Sequence, residues 1–151
     1  MTDPGYLLIL IHLIGACIWV GGHLVLALRI LPAALRARDV AAIRAFEGAF
    51  ETIGLPAFGA QVVTGLWLAL RLQPDWMQWA DLSDPLSRAI ALKLGCLGAS
   101  LMLAVHARLV LIPQLDARSL PALGWHIRAI TLVAVIFVIA GASIRVGGLA
   151  P

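Results

Sequence analysis

The four histidines of the chain, His12, His23, His106 and His126, all fall inside long apolar runs, and so does Lys93. An imidazole can ligate a transition metal or a haem iron, or carry a proton near neutral pH. Ionisable groups held in hydrocarbon are costly enough to be read as functional by default. His12 and His23 share one run from Tyr6 to Leu31, YLLILIHLIGACIWVGGHLVLALRIL. They are eleven residues apart, about three helical turns, so they project from nearly one face, roughly 16 Å apart along the axis. A lipid-facing stripe would not carry them. This face reads as the inner seam of a helix bundle that holds something a histidine can ligate.

Composition indicates what must position these groups. The 151 residues are 62% apolar and 13% charged, and mean hydropathy is +0.98. Those values exclude an ordinary soluble domain and place the chain among integral membrane proteins. The net charge of +3 is small and the arginines flank apolar runs, a pattern that suits membrane anchoring and gives no sign of a nucleic acid partner. The expected fold is all-α: an integral membrane four-helix bundle in one domain, with spans at about 6–31, 52–72, 86–112 and 122–146.

The connections carry their own signals. In AALRARDVAAIRAFEGAF, residues 33–50, Leu35, Val40, Ile43, Phe46 and Phe50 recur at helix-like steps, which predicts a short amphipathic helix lying at the interface. Gln73 to Pro85 carries Trp76 and Trp79 and reads as an interfacial belt on a short surface helix. Ser83-Asp84-Pro85 marks the start of the third span, and Pro56 is tolerable in the first turns of the second. Cys17 and Cys96, in no C-x-x-C pair, read as small packing residues, with thiolate metal ligation as the alternative. The Met1–Gly5 lead has no basic region, so no cleavable signal is expected. The Gly147-Gly148 tail is expected to fray.

Basic residues orient the bundle. One side holds seven, Arg29, Arg36, Arg38, Arg44, Arg108, Arg118 and Arg128; the other holds four, Arg71, Arg88, Lys93 and Arg145. The positive-inside rule then predicts a multi-pass bacterial inner (plasma) membrane protein with both termini outside the cytoplasm. Because alternate spans run antiparallel, His23, His106 and His126 fall in one layer about 6–12 Å deep on the cytoplasmic side. Glu47 and Glu51 lie at its edge. Three imidazoles with a carboxylate can hold copper, zinc or iron, and two facing imidazoles suffice for a six-coordinate haem. The other layer pairs His12 with Lys93, near Thr64, Trp67 and Ser143. It suits a haem with one protein ligand, or an acid–base pair. The competing structural readings are histidines that meet headgroups or helix carbonyls, His106 as interhelical glue, and a Lys93 that snorkels to the surface.

The run His12-x6-Trp19-Val20-Gly21-Gly22 resembles the opening of the copper-resistance D (CopD) membrane family. It is also similar to the opening of the HemJ-type protoporphyrinogen oxidases, which share that four-helix core. Pro56-Ala57 and Thr64-Gly65-Leu66-Trp67 resemble the HemJ-type second helix, and Lys93-Leu94 with His106 is similar to that group's lysine and downstream histidine. The likeness spans about residues 6–112. It implies a b-type haem or copper in the bundle, with His12 matching the haem-associated histidine and Lys93 that family's lysine. The fourth span lacks the Asn-Glu-x-Pro-like element of HemJ-type enzymes. His23 and His126 are additions to the pattern and point to a second or relocated metal site.

The expected function is transmembrane electron transfer or a small membrane oxidoreductase, with one or two b-type haems. The cytoplasmic-layer haem would take His23 and either His106 or His126 as axial ligands, with Gly21 and Gly22 letting a flat macrocycle approach the backbone. His12 would ligate a second haem or handle protons with Lys93. The alternative is a copper transport or resistance protein whose site is His23, His106 and His126, with Glu47 and Glu51 nearby. Met77 and Met102, too far apart to act together, do not form a methionine-rich copper path. A third reading is a structural subunit with no cofactor. Quinone is a candidate redox partner, and the small residues of Gly95–Ala99 and Gly141–Arg145 leave faces for a homodimer.

Overall fold

A computed structural model of the protein describes residues 4–145. The expected end of the fourth span at Val146, the Gly147-Gly148 tail and most of the Met1–Gly5 lead lie outside the described residues. Four helices are long and apolar enough to cross a membrane: Gly5–Ala37, Val40–Leu72, Pro85–Leu111 and Leu120–Ile144, here spans 1 to 4. All regular structure among the described residues is helical. The all-α membrane bundle expected from composition is the observed one.

Spans 1 and 3 change pitch near the same end of the bundle. Span 1 runs as an α-helix over Pro4–Val25, a π turn over Leu26–Ile30 and an α-helix over Leu31–Ala37. Span 3 follows its α-helix Pro85–His106 with a π turn over Ala107–Leu111. Each π turn is followed within two residues by a proline, Pro32 or Pro113. Proline donates no N–H and crowds the carbonyl four residues back. The wider turn relieves that crowding, with Leu31 N–H reaching Leu26 O and Ile112 N–H reaching Ala107 O at 2.9 Å.

The amphipathic stretch 33–50 is helical, but it is divided between two long helices. Arg38 takes a left-handed φ of 54° and returns its N–H to Ala34 O, ending span 1. Asp39 then starts span 2 by accepting the Ala42 N–H at 3.0 Å. No second start follows. The Thr52 hydroxyl turns back on Ala49 O at 2.9 Å, and Pro56 is accommodated within the helix Val40–Leu72. The tryptophan loop forms a single 3₁₀ segment, Trp76–Ala80, in which the Trp79 indole donates to Gln73 O at 2.9 Å. Asp84 accepts the Ser87 N–H at 2.7 Å with Pro85 in the first turn of span 3, the start signalled by the sequence.

Span 1 packs against spans 2 and 4, and span 3 packs against span 4; spans 2 and 3 touch only marginally. The helices thus stand in the order 2-1-4-3 with a parted seam between 2 and 3. At the looped face, where spans 1–2 and 3–4 connect, Leu26, Leu31, Ile43, Leu115, Leu120 and Leu123 close a core. Arg44 ties the two connections together by donating to Leu115 O at 2.9 Å. At the terminal face, where the described chain begins and ends, the helices stand around a groove instead. Leu28, Met102, Leu109 and Leu132 point outward and meet lipid. Cys96 is buried and Cys17 is exposed; neither forms a disulfide.

Candidate functional site

The terminal-face groove has a volume of about 910 Å³, where cavities that hold small organic ligands run about 300–1,000 Å³. Its walls are apolar except for Tyr6, His12, Gln61, Arg71, Lys93 and Arg145, and no aspartate or glutamate among the described residues lines it. His12 and Lys93 each lie eight residues from the start of their helix, at Pro4 and Pro85, about 12 Å below the rim. Arg71 and Arg145 stand at the rim, in the last turn of span 2 and just past the end of span 4.

A hydrogen-bond chain sets the state of His12. The Thr64 hydroxyl donates to Ala60 O at 2.5 Å, so its oxygen accepts from His12 Nδ1, 2.8 Å away. The Nδ1 atom therefore carries the proton, and Nε2 keeps its lone pair. An outer partner of this kind holds a ligating histidine in one tautomer and one orientation. Gln61 donates its amide to the His12 backbone carbonyl, and its Oε1 is buried without a partner. Two glycines make room for these groups. A Cβ on Gly65 would stand 3.1 Å from His12 Cε1, and one on Gly141 would stand 3.3 Å from Lys93 Nζ. The ammonium lies 4.9 Å above the Phe137 ring, so Lys93 stays in the groove among apolar neighbours. Trp67 and Ser143, expected at this depth, do not line it.

The looped half offers much less space. A cavity of about 130 Å³ is lined by Trp19, His23, Phe50, Glu47, Arg108 and His126, with Glu51 beside them. That volume is well below the range for a macrocycle, so the haem expected between His23 and His106 or His126 has no room here. The reason is Phe50, whose ring fills the space beside Gly22 and Gly54; a Cβ on either glycine would overlap it. Gly22 thus admits a phenylalanine of span 2 and no flat ligand, while the Cβ position of Gly21 faces open space. Trp19 completes the wall, its ring 4.5 Å from both His23 and Phe58.

The three imidazoles expected to converge divide into two groups. His23 is buried and donates from Nδ1 to Trp19 O at 2.8 Å. His126 donates from Nε2 to Leu103 O at 2.7 Å and stands 5.3 Å, ring to ring, from His106. His106 is exposed and lies outside the cavity lining. Glu51 pairs with Arg108 at 2.5 Å, bridging the seam between spans 2 and 3. Among the described residues, no group of three or more His, Cys, Asp or Glu side chains is placed to hold a metal ion. Depth along the helices follows from residue count, whereas the rotation of each helix about its axis does not. It is that rotation which turns His106 outward.

Gln61 is not among the residues singled out by type and spacing in the sequence, where Arg71 and Arg145 count only as orienting charges. The available signal was a lone amide three residues before Thr64 in an otherwise apolar stretch.

Four membrane-crossing helices, with His12, His23, His126 and Lys93 lining the spaces between them, define a multi-pass integral membrane protein. The chain belongs to the copper resistance protein D (CopD) family, whose family model matches residues 44–144. No curated protein and no solved structure gives a significant match. The matched stretch carries Lys93, His106 and His126, while His12 and His23 precede it. The HemJ-type likeness rests on the short motifs alone.

Proposed function

We propose that this CopD-family membrane protein carries a b-type haem in the terminal-face groove, with His12 Nε2 as its protein ligand, and works in electron transfer or as a small oxidoreductase. The observation that carries this reading is the groove itself: about 910 Å³, lined among the described residues by one imidazole of fixed tautomer, three cations and no carboxylate. Haem, when bound, supplies one-electron chemistry. The chain's own residues supply the rest. Thr64 keeps the proton on His12 Nδ1, apolar walls exclude water, and Lys93, Arg71 and Arg145 favour whichever redox state carries less positive charge.

A second reading is favoured by the His106–His126 pair and by the family's own description, copper resistance. Two imidazoles between spans 3 and 4 would hold copper. One experiment separates the two. Visible spectra and metal analysis are taken on single preparations of the wild type, His12→Ala and His126→Ala. The haem reading expects a Soret band in the wild type that is lost in His12→Ala and kept in His126→Ala. Copper without porphyrin, lost in His126→Ala, overturns it in favour of the second reading. A preparation with neither group overturns both.

A further inference from the structure

We infer that Arg71 and Arg145 form a carboxylate clamp at the rim of the groove, which selects a flat apolar ring bearing carboxylates on one edge and orients that edge toward the terminal face. The inference rests on the haem reading and goes further, since it names the groups that recognise the ligand and the direction in which it sits.

The argument begins with charge. Arg71 and Arg145 come from different helices, yet both end at the same face and line the same groove. The ion pair found among the described residues is Arg108–Glu51, at the far end of the seam, and no acidic residue among the described ones lines the groove beside these two arginines. Guanidinium groups present a planar fork that matches a carboxylate in two parallel hydrogen bonds. Two such forks at one rim suit a dicarboxylate.

Shape agrees with charge. Below the rim the walls are apolar, with Ile9, Leu13, Leu94 and Phe137 among them, and the parted seam between spans 2 and 3 leaves a slot for a planar body. Polarity is therefore graded: cations at the surface, hydrocarbon beneath, and the His12 lone pair about 12 Å down. A tetrapyrrole with two propionates on one edge has the same grading. A lipid phosphate would meet the rim charges equally well, but it would leave His12 Nε2 and the apolar space beneath the rim without a ligand.

The test uses the full-length protein in nanodiscs of zwitterionic lipid, titrated with ferric haem and with haem dimethyl ester, whose carboxylates are masked. Proteins are the wild type, Arg71→Gln, Arg145→Gln, the double variant and His12→Ala; circular dichroism confirms helix content in each. The clamp expects the wild type to bind haem at least about tenfold more tightly than the ester. It also expects the double variant to lose that preference while keeping the wild-type affinity for the ester. If the wild type binds both compounds equally and His12→Ala weakens both, the clamp is overturned and the haem reading stands. Binding of neither compound overturns the haem reading, and the clamp with it. If the preference vanishes when anionic lipid is added, the arginines are headgroup contacts and the clamp is overturned.

Discussion

At the residue scale, His12 is a ligand candidate because of what stands behind it. Many imidazoles in a membrane helix can rotate or exchange tautomers, but the Ala60–Thr64–His12 chain leaves one arrangement. Thr64→Val keeps the shape and removes the hydroxyl. Haem affinity is expected to fall about 10- to 100-fold, the usual cost of losing an outer partner, with helix content unchanged. Equal affinity in the variant would show that the hydroxyl does not set the state of His12. The sequence displayed His12 and Thr64 as residues and put them at similar depth. It could not show that they touch, because that contact depends on how spans 1 and 2 are rotated against each other.

At the element scale, the pairing of spans 1 and 2 turns on one aromatic ring. Phe50 fits against Gly22 from one helix and Gly54 from its own, and in lipid such close packing drives helix association. Gly22→Ala places a methyl where the ring stands and is expected to cost about 1–3 kcal/mol by overpacking, read as a lowered midpoint in denaturant titration. The Gly22→Ala/Phe50→Leu double variant should recover part of that loss through direct coupling; strict additivity would refute the slot. The Gly-Gly pair was visible in the sequence, and its use was not. A glycine pair reports that something approaches closely, and the same pattern serves a macrocycle or a neighbouring helix. The division of residues 33–50 at Arg38 was hidden for a related reason. A left-handed helix end is usually announced by glycine, and here an arginine adopts it.

At the scale of the whole molecule, the bundle is asymmetric along the membrane normal, packed at the looped face and parted at the terminal face. We propose that the looped face, with seven basic residues against four, lies in the cytoplasm of a bacterial inner membrane. A Gln114→Cys variant, with Cys17 and Cys96 replaced by alanine, tests this. An impermeant maleimide should label it only after spheroplasts are lysed, and labelling of intact spheroplasts would reverse the orientation. The parted seam also explains why the large cavity lies with His12 and Lys93. Spans 2 and 3 are held together by Glu51 and Arg108 near the looped end, which leaves the other end free to stand apart.

The residues alone determined the membrane class, the four helices and the depth of every histidine. These follow from hydropathy and from a fixed rise per residue, which are local properties of a chain in lipid. They did not determine which imidazoles meet. Residue counting placed His23, His106 and His126 at one height, and the tertiary structure sent His106 outward and filled the space beside His23 with Phe50. It also gathered His12, Lys93, Arg71 and Arg145 around a groove that no stretch of sequence displays. Rotation about each helix axis is chosen by packing between helices, and packing exists only once the helices are side by side.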